Sequence, residues 1–230
     1  VTRDQRYREA AFRTWYTLDV FLRDPRGGFR AEAPRDFGPT SGLRTQNPVM
    51  HLFEAMLALW DATRDPVALR GAQGVGDFVL RRLLEGLPDG GAYIPEWYDG
   101  NWTALAKGKG GTIDLGHQFE WAYLLSAGEK RGLPPLYAKA AERLLDYGLR
   151  VGYDPSVGGT FGSAEPDHVV RRSKGWWQQA ELLRALMHHA SLRGRSDLWP
   201  RFRQTLGFVR SEFVDEANGA AHLGEHRLSL

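Results

Sequence analysis

Glycine-rich turns recur along this chain at a nearly constant interval, and that interval limits its fold more than any other feature. Gly27-Gly28, Gly90-Gly91 and Gly158-Gly159 stand 63 and 68 residues apart, and a weaker turn, Asn218-Gly219, follows 60 residues later. Between successive turns lie two helical patterns. The first pair covers 48–63 and 67–85, the second 115–130 and 135–150, and the third 174–193 and 197–214. Asp65-Pro66, Gly132 before Pro134-Pro135, and Gly194 before Ser196-Asp197 punctuate the pairs. One more helical pattern, 4–23, precedes them and ends at Asp24-Pro25. The expectation is about seven helices, or three and a half hairpins.

The first helices of the hairpins align. His51-Leu52-Phe53-Glu54 lies over His117-Gln118-Phe119-Glu120 and over Gln178-Gln179-Ala180-Glu181. Each puts a polar residue and a glutamate at i and i+3, on one helix face near the N-terminus, ahead of a strongly apolar stretch. The second helices are amphipathic. Buried helices alternating with amphipathic ones describe an inner and an outer layer, and a closed ring suits them better than an open solenoid. Polar pairs at the same end of every inner helix would then converge on one pocket. The expected fold class is all-α, an α/α toroid, with residues 1–230 as one domain. The glycine turns lead into Phe29, Ala92-Tyr93-Ile94 and Thr160-Phe161, which are expected to be short extended pieces.

Composition removes several functions. With 30 Lys+Arg against 28 Asp+Glu, the net charge is +2, which argues against nucleic acid or a membrane surface as the main partner. There is no cysteine, so disulfides and thiolate chemistry are excluded. No apolar run approaches the roughly 20 residues that span a bilayer. The expected compartment is cytoplasmic, and the sequence leaves a homodimer open. Eight tryptophans are an unusual number, and their flat apolar rings suit sugar faces.

Three motifs carry a resemblance: Arg44-Thr45-Gln46-Asn47-Pro48-Val49-Met50-His51-Leu52-Phe53-Glu54, Gly116-His117-Gln118-Phe119-Glu120-Trp121, and Trp176-Trp177-Gln178-Gln179-Ala180-Glu181. In order and rough spacing they resemble the N-acylglucosamine 2-epimerase superfamily, which includes cellobiose 2-epimerase and mannose-type aldose–ketose isomerases. The resemblance covers essentially the whole chain. It implies an (α/α)6 barrel, a free or lightly modified sugar as small-molecule substrate, no cofactor, and no metal in the chemistry. Six hairpins at this repeat would need roughly 390 residues. The chain is therefore expected to be part of a longer protein and not a self-sufficient catalyst.

Isomerising or epimerising a reducing sugar requires removal of the proton on C2, alpha to the carbonyl of the open-chain form. Histidine titrates near working pH, and a nearby carboxylate can orient the imidazole and stabilise its charged form. Aldose–ketose isomerisation can return the proton to C1 of a cis-enediol on the same face. Epimerisation needs a second acid on the opposite face.

By resemblance, His117 is one of two general acid/base histidines and Glu120 its pocket companion; the plainer alternative is a buried histidine capping its helix. His51 resembles a pocket histidine that donates to substrate hydroxyls; a satisfied polar residue at an inner-helix end is the plainer alternative. Arg44 could polarise a carbonyl or ring oxygen, or could be an ordinary surface arginine. Either Trp176 or Trp177 is expected to face the sugar, and both could instead be core. Glu96-Trp97-Tyr98 resembles a family loop that dips toward the pocket, which makes Glu96 a substrate-binding candidate. Glu181 repeats Glu120's place on its helix and is a candidate wall residue.

His188-His189 are expected at the surface or in packing, and His168 beside Asp167 is too isolated for a metal site. The Lys107-Gly108-Lys109-Gly110-Gly111 run lacks the pattern of a phosphate loop and is expected to be a flexible loop. The family's second acid/base histidine lies near its C-terminus. The stretch 220–226, with His222 and His226, does not match that motif, and no residue is assigned to the role. Two His-x-x-Glu pairs could alternatively hold a di-metal centre, as helical bundles do, and elemental analysis separates that case from a metal-free reaction. A mannose-type isomerase is favoured over an N-acylglucosamine 2-epimerase. A carbohydrate-binding or oligomerisation module without catalysis is the competing class.

Overall fold

The computed structural model describes residues 4–38, 42–106 and 110–215, together with the pairs 220–221 and 225–226. Asn218-Gly219, Lys107-Gly108-Lys109 and His222 lie outside the described residues. The fold class is all-α, as the hairpin pattern predicts. Seven α-helices are present among the described residues: α1 (Gln5–Phe21), α2 (Asn47–Thr63), α3 (Pro66–Phe78), α4 (Leu115–Glu129), α5 (Leu136–Val151), α6 (Trp176–Leu192) and α7 (Trp199–Phe213). The strands between them are two or three residues long and pair antiparallel.

Capping chemistry sets several helix starts. The Asp4 carboxylate accepts from the Arg6 amide at 2.9 Å, and that of Asp65 from Val67 at 3.0 Å, with Pro66 opening α3. Two boundaries differ from the sequence expectation. The pattern over 67–85 is α-helical only to Phe78, and continues as a π-turn over Val79–Leu83. Lys174-Gly175, expected to start a helix, is extended and pairs with Glu225–His226. Lys174 is held there by buried polar bonds, described below, which a helical start does not provide.

The chain folds as two compact units. Unit 1 takes residues 1–84, 95–111 and 128–137. Its core includes Trp15, Phe29, Met50, Phe53, Val75, Tyr98 and Trp102. Gly76 has no room for a side chain, because a Cβ there would stand 2.4 Å from Cε1 of Tyr137. The Tyr137 hydroxyl donates to the Asp77 carboxylate at 2.8 Å, and burial together with that carboxylate pushes its pKa up.

Unit 2 takes residues 85–94, 112–127 and 138–230. Within it, Leu115 to Ala127 of α4 are buried at every position except Tyr123. Two glutamines tie inner helices to the extended pieces after the glycine turns. Gln118 accepts from the Ile94 amide at 2.9 Å and donates to its carbonyl at 3.0 Å. Gln179 accepts from the Thr160 amide at 2.7 Å and donates to its carbonyl at 3.0 Å. Each amide side chain thus satisfies backbone groups that burial would otherwise orphan.

His188 and His189 are both buried, so packing rather than surface describes them. The Nε2 of His189 donates to the Ala122 carbonyl at 3.2 Å, and burial pushes its pKa below the ordinary 6.5, with that bond working the other way. The native state therefore holds a neutral imidazole. As pH falls below 6.5, the unfolded chain binds a proton that the native chain refuses, and stability is lost. Between about pH 7.5 and about pH 5.5, the melting temperature of the native protein should fall more steeply than that of His189→Gln. Parallel curves for the two would remove His189 as a source of acid lability.

Candidate active site

The two units each carry part of the residues singled out from sequence. In unit 2, Asp114 caps α4: its Oδ1 accepts from the Gly116 amide at 2.9 Å and lies 3.4 Å from that of His117. This cap sits two residues before Gly116, and the capping rule alone could have found it. His117 is 9% exposed and Glu120 5%, so the i, i+3 pair is buried at the start of α4.

The His117 ring packs on Trp177, centroids 5.0 Å apart and planes tilted by 44°. Gly116 makes that approach possible, because a Cβ there would stand 2.6 Å from the Trp177 ring and 2.5 Å from Gln178. Of the two tryptophans, Trp177 is therefore the one beside the histidine, whereas Trp176 is 42% exposed. Four residues beyond Trp177 on α6, Glu181 accepts from Arg184 at 3.3 Å.

In unit 1, the strand Arg44–Thr45 pairs antiparallel with Trp97–Tyr98. The pairing brings Glu96 to the start of α2, where its carboxylate accepts from the Thr45 hydroxyl at 3.2 Å and from the Gln46 side-chain amide at 3.1 Å. His51 Nδ1 lies 3.5 Å from the Glu54 carboxylate, and both side chains are solvent-accessible. The Arg44 Nε donates to Asp24 at 2.6 Å, and the Asp24 side chain is fully buried. The surface-arginine alternative for Arg44 thus gives way to an ion pair with a buried carboxylate.

That ion pair has a counterpart in unit 2. Lys174, two residues before α6, has no solvent exposure and donates to Asp154 at 2.8 Å and to the Gly158 carbonyl at 2.7 Å. Its ammonium also lies over the Phe208 and Phe161 rings, 4.5 and 5.1 Å from their centroids. Asp24 and Asp154 both open a glycine turn, and both accept from a cation just ahead of an inner helix. Burial works to raise the Asp154 pKa, but bonds from Lys174 and Ser156 outweigh it and hold it at about 2. Burial pushes Lys174 below its ordinary value while Asp154 opposes the shift. Pairing across 20 residues leaves no local pattern, so sequence reasoning missed both partners.

His168 is less isolated than expected, since Glu165 joins Asp167 and His168 with ligand atoms within 4.8 Å of one another. Its two ring nitrogens face different carboxylates, at 2.7 Å from Asp167 and 3.6 Å from Glu165, an arrangement that ion pairing explains without a metal.

A family model described as N-acylglucosamine 2-epimerase matches residues 1–222. A mannose-6-phosphate isomerase of Rhizobium meliloti (strain 1021) is 31% identical over 185 residues, covering 76% of this chain and 44% of that protein. A D-mannose isomerase of Marinomonas mediterranea is 28% identical over 173 residues, covering 70% of this chain and 43% of that protein. The chain thus spans less than half the length of these relatives. Among solved structures, cellobiose 2-epimerase from Spirochaeta thermophila superposes with a TM-score of 0.82 at 19% identity, over 96% of this chain and 57% of that one. No helix among the described residues is long and apolar enough to cross a membrane.

Proposed function

The chain belongs to the N-acylglucosamine 2-epimerase family, and from that premise we propose that it serves a sugar isomerase that removes the C2 proton of an open-chain aldose, with mannose-type aldose–ketose isomerisation as the reaction. The observation that carries this reading is His117, buried at the capped start of α4 against the Trp177 ring, with Glu120 one turn further on.

In this reading the His117 imidazole takes the proton from C2 as the electrons move onto the carbonyl oxygen O1, giving a cis-enediolate. The O2 hydroxyl proton passes to O1, and the resulting imidazolium returns its proton to C1 as the carbonyl re-forms at C2, so that an aldose becomes a ketose. One histidine suffices because both carbons present their proton on one face. Glu120 favours the charged imidazole. Trp177 offers a flat surface to the sugar ring, with Trp176 as the other candidate. Glu181 and Glu96 accept from sugar hydroxyls, His51 donates to them, and Arg44 polarises a carbonyl or ring oxygen while its Nε remains on Asp24. The names of the two relatives, a mannose-6-phosphate isomerase and a D-mannose isomerase, support a mannose-type substrate. A single domain, a cytoplasmic location and the absence of a resident metal belong to the same proposal, which is compatible with a homodimer.

The description of the matching family model, N-acylglucosamine 2-epimerase, supports 2-epimerisation as a second reading. Product analysis separates the two. The full-length protein given mannose should yield fructose, and given N-acetylmannosamine should yield nothing. Formation of N-acetylglucosamine with no fructose would overturn the isomerase reading.

A further inference from the structure

Arg184 breaks the internal repeat. Three positions after the inner-helix glutamate stand Leu57 in the first hairpin and Tyr123 in the second, but Arg184 in the third. A charge on a stripe that the pattern makes apolar marks a place where packing alone does not choose the residue.

The side chain is held on two sides. Its guanidinium carbon lies 3.8 Å from the centroid of the Tyr123 ring, and its Nη1 donates to both Glu181 oxygens at 3.3 and 3.4 Å. A planar guanidinium stacked on an aromatic face has its orientation set by the ring, which a lysine ammonium does not. The ring in turn is braced. His188 meets Tyr123 edge-on at 5.1 Å, the His188 Nε2 lies 2.8 Å from the Ser126 hydroxyl, and that hydroxyl accepts from Arg193 at 2.7 Å. α4 and α6 are thus cross-linked below Glu181 by a chain of polar and aromatic contacts, all inside unit 2.

We infer that Arg184 is a positioning residue for the sugar site: braced on Tyr123, it fixes the Glu181 carboxylate in the orientation that accepts substrate hydroxyls. This rests on the proposed place of Glu181 in that site. Losing the brace costs binding more than chemistry, because Glu181 touches hydroxyls and not the C2 proton.

A double-mutant cycle on the full-length protein tests this, with initial rates on mannose. Arg184→Leu, which restores the apolar residue of the repeat, is expected to raise KM about tenfold while leaving kcat within about twofold. Arg184→Lys should fall between Arg184→Leu and the native protein, and it takes the place of Arg184→Leu in the cycle if that variant does not fold. In a Glu181→Gln background the Arg184 substitution should add less than about twofold, since the carboxylate that Arg184 orients is gone. A merely structural arginine would impair both backgrounds equally, and that result would overturn the proposal. So would an unchanged KM in Arg184→Leu when Glu181→Gln alone is impaired. If Glu181→Gln is itself without effect, the place of Glu181 in the sugar site fails, and the role of Arg184 fails with it.

Discussion

His117→Asn is expected to lower turnover on mannose in the full-length protein by about 10²–10⁴-fold, with KM little changed. Asparagine keeps roughly the size of imidazole and one hydrogen-bonding face, so the packing against Trp177 and the capped start of α4 survive. What it cannot do is take a proton from carbon and return it near neutral pH. Glu120→Gln should cost less and move the pH optimum, because its proposed work is on the charge of the imidazole rather than on the substrate. A loss of less than about tenfold in His117→Asn, measured as initial rates on protein that melts like the native one, would remove His117 as the base.

Lys174→Met is expected to cost about 3–5 kcal/mol of folding stability, the usual penalty for removing one partner of a buried ion pair. Methionine fills most of the space between Phe161 and Phe208 but leaves the buried Asp154 carboxylate without its cation. The Gly158 carbonyl loses its donor as well. Gly158 and Gly159, with φ of 88° and 80°, sit in the left-handed region, so the turn tolerates little rearrangement. Denaturant unfolding of native and variant protein measures the difference, and a change below about 1 kcal/mol would show the pair to be dispensable. Acid should expose the same pair. Because the Asp154 pKa is held at about 2, its contribution is complete above 3.8 and is lost as pH falls from there toward about 2. Native protein should show that loss, and the variant should show less of it.

The helices are legible in the sequence because their signals are local. Apolar spacing, Asp65-Pro66 and the glycine turns place α1 to α7 within two residues of where they lie, except the end of α3, which comes seven residues earlier than the pattern suggests. The polar positions at the starts of α2, α4 and α6 are legible too, since the repeat puts three motifs in register. The π-turn at Val79–Leu83 is not, because Val79, Leu80 and Leu83 continue the apolar pattern of α3. The extended Lys174–Gly175 reads as helix for a related reason: what holds it is Asp154, 20 residues away. The sequence leaves His188 and His189 between surface and packing, and the packing of α6 on Ala122 and Ser126 of α4 shows them buried. Which tryptophan stands beside His117 depends on a glycine in another helix, Gly116, whose missing side chain admits Trp177. Arg184 stands out only when the repeat is laid against the structure. Long-range polar pairs carry much of the architecture around the proposed chemistry, and they leave the weakest trace in sequence.

The proposed movement of a proton at C2 of a sugar is read directly by solvent isotope exchange. The full-length protein is incubated with mannose in heavy water, and the recovered sugars are analysed by NMR. Proton transfer at C2 should leave deuterium at C2 of the recovered mannose and at C1 of the fructose formed, with both signals falling in His117→Asn in step with turnover. Mannose bound by the protein but recovered with no deuterium at C2, and no fructose formed, would contradict it.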